Sequence, residues 1–121
     1  MEKDPALRPE RRVGSHDWGR MEWLVEEASA PGAGMSLALM YVNPGAAAPA
    51  HRHPNANESV TLLEGTLEQT VEGRAHVLEP GETLYVPAGA VHGVRNPGSR
   101  EARAMVAYST GTRLFEPAPQ T

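Results

Sequence analysis

Three histidines and one glutamate are the residues of this chain that are best able to do chemistry. His51 and His53 are two positions apart, and on a β-strand that spacing points both imidazoles to the same face. Glu58 follows His53 by five positions, so an unbroken strand would turn its carboxylate to the opposite face. The proline–asparagine pair at 54–55 favours a bend that can return the carboxylate to the histidines. With His92 as the candidate fourth ligand, these residues predict a metal site.

Length and composition place these residues in one small domain. The chain has 121 residues, enough for a real core but too few for a second module. Its 15 acidic and 11 basic residues argue against nucleic acid as the main partner. The absence of cysteine excludes a disulfide framework, a thiolate metal site and a cysteine nucleophile. Because the N-terminal residues are charged, contain proline and lead into no apolar run, we expect no signal peptide, no membrane span and a cytoplasmic location.

The pattern between residues 18 and 110 predicts β-structure. Short runs of alternating or continuous apolar residues are separated by glycine and proline, and no segment favours a helix. The segment 35–42, apolar on both faces, predicts a central strand covered on both sides. The alanine-rich stretch 46–50 contains Pro49 and predicts a loop that leads to the histidines. Other strands are expected at 21–25, 67–71, 74–78, 83–86, 91–95 and 102–109. About eight or nine short strands predict an all-β barrel or sandwich.

The two ends of the chain lie outside this pattern. Residues 1–17 predict an N-terminal arm with an arginine cluster, for which a solvated or subunit-docking role is favoured over nucleic-acid binding. Ser15-His16-Asp17 contains the residue types of a catalytic triad, but adjacent residues cannot adopt triad geometry, and we expect a surface position. Residues 111–121, with Pro117 and Pro119, predict a C-terminal tail that packs through Leu114 and Phe115.

Two glycine-bounded motifs contain the candidate ligands. The first runs from Gly45 through His51, His53 and Glu58 to Gly65. It closely resembles the first motif of the cupin superfamily, which is glycine, five residues, His-x-His, three or four residues, glutamate, six residues and glycine.

The second motif begins at Gly81 and continues through Pro87, Gly89 and His92 to Asn96. It matches the second cupin motif, which is glycine, five residues, Pro-x-Gly, two residues, histidine, three residues and asparagine. Together the two motifs identify residues 35–110 as similar to the small single-domain cupins.

The resemblance implies a conical jelly-roll barrel, the double-stranded β-helix, with a metal inside. The implied ligands are His51, His53, Glu58 and His92, and Glu58 could alternatively act as a catalytic base. Three nitrogens and one carboxylate suit one divalent transition metal ion, namely iron, manganese, nickel, cobalt, copper or zinc. Asn96 is expected to be structural, whereas His16 and His76 are interpreted as ordinary surface or core histidines.

Two kinds of function are compatible with this resemblance. The first is a metalloenzyme that acts on a small oxygen-bearing substrate as a dioxygenase, decarboxylase or isomerase. The alternative is a non-enzymatic sensor or binding barrel for a small ligand, and a storage-type role is disfavoured by the complete ligand set. The fold and the ligands alone do not choose the reaction. Candidate substrate contacts are Gln69, Tyr41, Met40 and Tyr108.

The family resemblance also suggests a homodimer. Trp18, Trp23 and the N-terminal arm are the expected sources of the contact between the subunits. A small-molecule ligand or substrate is therefore the main expected partner, with no role for nucleic acid or membrane.

Overall fold

The computed structural model describes residues 4–118, and it shows eleven β-strands with no helix in that range. Pro119 of the predicted tail lies outside the described residues. The strands are β1 (Arg12–His16), β2 (Gly19–Val25), β3 (Ser36–Val42), β4 (Ala47–Arg52), β5 (Glu58–Glu64), β6 (Leu67–Val71), β7 (Arg74–Leu78), β8 (Thr83–Val86), β9 (His92–Arg95), β10 (Ala102–Tyr108) and β11 (Glu116–Pro117).

Two antiparallel sheets form the molecule. One has six strands in the order β1-β2-β3-β10-β5-β8, and the other has five in the order β11-β4-β9-β6-β7. The chain crosses repeatedly from one sheet to the other, which is the connectivity of a jelly roll. The predicted all-β barrel is confirmed.

The core lies between the inner faces of the two sheets. Alternate residues of β3, β5 and β10 supply most of it from the six-stranded sheet, and Leu67 and Val94 contribute from the opposite sheet. On β5, Val60 and Leu62 are fully buried on the same face as Glu58. Because period-two alternation buries this whole face, the apolar side chains of β5 fix the direction in which Glu58 points.

Strand β3 occupies the central place expected for it, between β2 and β10. Its inner residues are buried, whereas Leu37, Leu39 and Tyr41 on the outer face are only half-buried. Residues 4–118 therefore cover the outer face only in part, and the expectation that both faces would be covered is wrong for that face.

The prediction of a loop at 46–50 is wrong, because most of this stretch belongs to β4. Ala47 and Ala48 pair with Arg95 and Val94 of β9, and the register shifts before His51. Pro49 lies at this irregularity, where the ladder does not need an N–H donor. Local propensity disfavours a strand here, but pairing with β9 overrides it.

Short edge strands also occur outside residues 18–110. Strand β1 pairs along its length with β2, and β11 pairs with β4 through Glu116–Arg52 and Pro117–His51. Residues of β1 are mostly exposed, so they leave no periodic apolar signal in the sequence. The division into arm, barrel and tail remains a prediction.

Candidate metal centre

His51 and His92 lie opposite each other on two neighbouring strands of the five-stranded sheet. His51 is the penultimate residue of β4, His92 is the first residue of β9, and the two are register partners. His53 follows the end of β4, and a turn at residues 54–55 then leads to Glu58 at the start of β5. The predicted bend is thus present between His53 and Glu58. One ring nitrogen from each histidine lies within 4.8 Å of the other two.

Each of the three imidazoles is oriented by a main-chain carbonyl. Nδ1 of His51 lies 2.8 Å from the oxygen of Pro49, and Nδ1 of His92 lies 2.9 Å from the oxygen of Ala90. Nδ1 of His53 lies 2.9 Å from the oxygen of Leu114.

A carbonyl oxygen can only accept a hydrogen bond, so Nδ1 of each ring carries the hydrogen. In the neutral ring this leaves the lone pair on Nε2. The arrangement is the one that holds metal-binding histidines in a single tautomer and orientation.

Glu58 brings a carboxylate to two of these rings. Its Oε1 atom lies 3.2 Å from Nε2 of His92 and 3.5 Å from Nε2 of His53. Only 6% of the Glu58 side chain is exposed, and the side chains of His53 and His92 are 2% and 4% exposed. The structure therefore brings all four predicted site residues into one group, in which His53, Glu58 and His92 are buried and His51 is half-buried, although the 4.8 Å cluster itself contains only the histidines.

The electrostatics of the group follow from burial and from Glu58. Burial lowers the pKa of His51 to about 4, and burial also lowers the pKa of His53. Burial opposes protonation of His92 as well, but the adjacent Glu58 carboxylate outweighs it and raises the pKa of His92. Neutral His51 and His53 rings have the protonation state that a metal ligand needs.

The chemistry of this donor set fits a metal ion. Nε2 of His53, Nε2 of His92 and Oε1 of Glu58 are buried, and because the ring hydrogens are on Nδ1, none of these three atoms donates a hydrogen bond to another. Leaving such groups unsatisfied is costly, and a shared divalent cation would satisfy all of them at once. Nitrogen and carboxylate donors without sulfur suit the first-row divalent transition metals.

A cavity of about 600 Å³ lies next to this group. Three of the four predicted substrate contacts, Met40, Gln69 and Tyr108, line it. Tyr41 does not line it, because Tyr41 points from the outer face of β3, where the guanidinium group of Arg20 lies 3.7 Å from its ring centroid. The expectation for Tyr41 is therefore wrong.

The structure confirms some of the expectations for the other histidines and the tryptophans and corrects the rest. His16 is exposed as expected, but it stacks on Trp18 with ring centroids 4.7 Å apart, and both line the cavity. Trp23 is buried in the core with 5% exposure, so its side chain is not available for a subunit contact. His76 is exposed on β7, as expected.

The segment 112–118 contributes to the site in a way that sequence reasoning missed. Its Phe115 ring stacks on His51 with centroids 4.7 Å apart, and the Arg113 side chain lines the cavity. The predicted packing through Phe115 is present, whereas Leu114 acts through its main-chain oxygen and its side chain is exposed. No residue pattern in the segment signals these contacts, because they depend on how β11 pairs with β4.

Comparison with known proteins identifies the family. The family model for the cupin domain matches residues 38–108, and the chain belongs to the cupin family. The chain is 34% identical over 77 residues to a mannose-1-phosphate guanylyltransferase of Sinorhizobium fredii, a match that covers 64% of the chain and 15% of that protein. It is 32% identical over 84 residues to a germin-like protein of Morus alba, covering 65% of the chain and 40% of that protein. The matches thus span less than half of either relative.

The fold is also similar to that of solved structures. A structure of oxalate oxidase superposes with a TM-score of 0.76 at 27% sequence identity, covering 89% of this chain and 60% of that one. The part of the chain that the structure describes contains no helix long and apolar enough to cross a membrane.

Proposed function

We propose that this cupin binds one divalent transition metal ion through His51, His53, Glu58 and His92. The observation that carries the proposal is the common orientation of the imidazoles, each with Nδ1 hydrogen-bonded to a main-chain carbonyl. Iron, manganese, nickel, cobalt, copper and zinc all accept such a donor set. When bound, the metal supplies Lewis acidity toward a substrate oxygen or, if it is redox-active, electrons for chemistry with dioxygen.

We further propose that the protein is an enzyme that acts on a small oxygen-bearing molecule, as a dioxygenase, decarboxylase or isomerase. The cavity beside the four residues is large enough for such a molecule. The likeness to oxalate oxidase, whose name gives a small dicarboxylate as its substrate, supports this class of substrate. Fold similarity alone does not fix the reaction.

Glu58 is proposed as the fourth ligand, with a second role as the group that accepts a substrate proton. Its buried position beside His53 and His92 suits a ligand, and its place among the cavity-lining residues suits contact with substrate. Glu58→Gln keeps an oxygen donor but removes the basic carboxylate. Retained metal with lost turnover would support the second role, whereas loss of metal would restrict Glu58 to ligation.

Elemental analysis of protein purified without added metal or chelator tests the metal proposal. We expect close to one transition-metal ion per chain in the wild type and substantial loss in His51→Ala, His53→Ala, Glu58→Ala and His92→Ala. His76→Ala is the matched control, because His76 is an exposed histidine on β7. A metal-free wild type whose thermal stability does not change on titration with these metals would contradict the proposal.

The identity of the bound metal then directs the enzyme assay. A redox-active metal calls for measurement of oxygen consumption with small carboxylic acids, enols and catechols, and zinc calls for isomerase assays. Ligand binding without turnover in either assay would favour the alternative of a non-enzymatic binding barrel. The homodimer and the cytoplasmic location remain predictions, and light scattering after size-exclusion chromatography tests the first.

A further inference from the structure

Gln69 is a buried polar side chain that faces the cavity. It belongs to β6 on the same face as Leu67, and only 2% of it is exposed. Its Oε1 atom has no hydrogen-bond partner among the described residues. A buried amide oxygen without a partner destabilises the fold, and an apolar side chain of similar size at this position would avoid that cost. This feature indicates that the amide serves a bound molecule.

Arg113 provides a cation at the same cavity. Its guanidinium carbon lies 4.6 Å from the ring centroid of Trp23 and 5.2 Å from that of Tyr108, and its Nε is buried without a hydrogen-bond partner. Across residues 4–118, Arg113 forms no ion pair with a carboxylate. The same side chain also lines a smaller hollow beside Glu26 and Glu27. An arginine that is held by aromatic rings and has an Nε–H without a partner is suited to binding a carboxylate.

The rest of the cavity wall is largely apolar. Trp18, Met21, Met40, Val94 and Phe115 all line it. A volume of about 600 Å³ exceeds what a two-carbon acid needs, so the wall has room for an apolar group of the size of a phenyl ring.

We propose that the cavity binds an organic acid that carries a carboxylate, a hydroxyl group and an apolar group of about the size of a phenyl ring. Arg113 pairs with the carboxylate, Gln69 accepts a hydrogen bond from the hydroxyl, and the apolar group packs against the wall. The inference deepens the proposed function by naming a substrate class, and it rests on that function in treating this cavity as the reaction site. Neither residue belongs to the ligand set, so both can be tested separately from the metal.

Calorimetric titration with three matched probes tests the two contacts. Mandelate has the carboxylate, hydroxyl and phenyl groups, phenylacetate lacks the hydroxyl, and 1-phenylethane-1,2-diol lacks the carboxylate. We expect the wild type to bind mandelate about tenfold more tightly than phenylacetate, which corresponds to one buried hydrogen bond. The diol should bind more weakly than either acid.

Substitutions assign each contact to its residue. Gln69→Leu should remove the preference for mandelate over phenylacetate, and Arg113→Gln should weaken both acids about tenfold without weakening the diol. Arg113→Lys should restore part of the affinity, because it keeps the charge. Thr70→Val, the neighbour of Gln69 on β6, and Arg100→Gln, an exposed arginine, serve as controls and should bind like the wild type.

Thermal stability gives a second readout that needs no ligand. Gln69→Leu should raise the melting temperature by about 5 °C, since it removes an unsatisfied buried oxygen. A lowered melting temperature would show that the amide stabilises the fold, and it would overturn the role assigned to Gln69.

The remaining outcomes separate this inference from the proposed function. Equal affinity for the diol and the acids, or no binding of either acid at roughly 10 mM, would overturn the inference even if the protein contains its metal. Conversely, absence of metal with the expected probe and variant preferences would overturn the metal proposal and leave the acid site standing.

Discussion

Nδ1 of His53 lies 2.9 Å from the main-chain oxygen of Leu114, so a residue beyond the family match at 38–108 orients a candidate metal ligand. The segment that carries Leu114 is held in place by Asn55. The Asn55 side chain accepts a hydrogen bond from the N–H of Leu114 at 2.7 Å and donates one to the oxygen of Thr112 at 2.9 Å. The Arg52–Glu116 ion pair, at 2.8 Å, adds a further connection.

The first prediction concerns this connection. Asn55→Ala removes both side-chain hydrogen bonds to the segment, so the Leu114 carbonyl should lose its fixed position. We expect metal affinity to fall about tenfold or more, as it does when the partner of a ligating histidine is removed. Competition with a chromophoric chelator measures the affinity.

The control for this experiment is Asn43→Ala, which changes an exposed asparagine away from the segment. Unfolding in urea should show that Asn55→Ala remains folded, because Asn55 is exposed and outside the core. Wild-type metal affinity in the folded Asn55→Ala protein would contradict a positioning role for the segment.

The second prediction concerns the pH dependence of stability in metal-free protein. The pKa of His51 is about 4 in the fold and 6.5 in the unfolded chain, so the unfolded chain takes up the proton first. Stability should therefore fall as the pH is lowered from 6.5 to 4. The loss from His51 is about 2 kcal/mol, since each pKa unit corresponds to about 1.4 kcal/mol and the ring is partly exposed.

The other two histidines modify this dependence in opposite directions. The lowered pKa of His53 adds to the loss on acidification, whereas the raised pKa of His92 gives stability that is present below pH 6.5 and lost above it. Urea unfolding of chelator-treated protein between pH 4 and 7.5, roughly the range in which histidine titrates, measures the sum.

His51→Gln should reduce the slope of stability against pH, and the exposed control His76→Gln should leave it unchanged. An unchanged slope in His51→Gln would contradict the assignment of this pH dependence to His51.

The third prediction tests the structural role expected for Asn96. This residue is fully buried, and its amide donates to the oxygens of Val42 and Arg100 at 2.9 Å and 2.7 Å. Its Oδ1 atom accepts a hydrogen bond from the N–H of Gly98 at 2.9 Å. Asn96→Ala removes all three hydrogen bonds in a buried place, so we expect a loss of about 2–4 kcal/mol in the free energy of unfolding.

Urea unfolding measures this loss, and Asn43→Ala is again a suitable exposed control. Metal content per folded Asn96→Ala molecule should match that of the wild type, since the hydrogen bonds of the Asn96 side chain go to Val42, Arg100 and Gly98 and not to the ligand group. A stability within about 0.5 kcal/mol of the wild type would contradict the structural role.

The inner faces of the barrel could be predicted from the sequence because alternation and motif spacing are local signals. The two-residue spacing of His51 and His53 and the bend at 54–55 are both present in the structure. The resemblance to the cupin motifs then supplied the long-range pairing that brings His92 to the other three.

The features that were missed depend on contacts distant in the chain. Strand β4 forms in spite of Pro49 because β9 supplies a partner for its alanines. The Arg113 side chain reaches the cavity because β11 pairs with β4 and Asn55 holds the segment before it. Neither contact has a periodic or compositional signal, so reasoning from local pattern had no means of finding it.

The last prediction concerns Gly65, which follows the strand that begins at Glu58. Gly65 has a φ of +86°, and a Cβ atom there would lie 3.1 Å from Cα of Ala102 on β10. Gly73 has a similar φ of +79°, but a Cβ atom added to it would meet nothing within 4 Å. The two glycines therefore share the backbone strain that alanine would cause, and only Gly65 adds a close contact.

We expect Gly73→Ala to cost about 1 kcal/mol in the free energy of unfolding and Gly65→Ala to cost at least about 1 kcal/mol more. Because a shift of the Gly65 turn would disturb the pairing of β5 with β10, Gly65→Ala should also weaken metal binding, whereas Gly73→Ala should not. Urea unfolding and chelator competition measure the two effects. Equal stability losses in the two variants would show that β10 shifts at Ala102 to make room for the added Cβ atom. This result would contradict the inference that the contact fixes the position of β5.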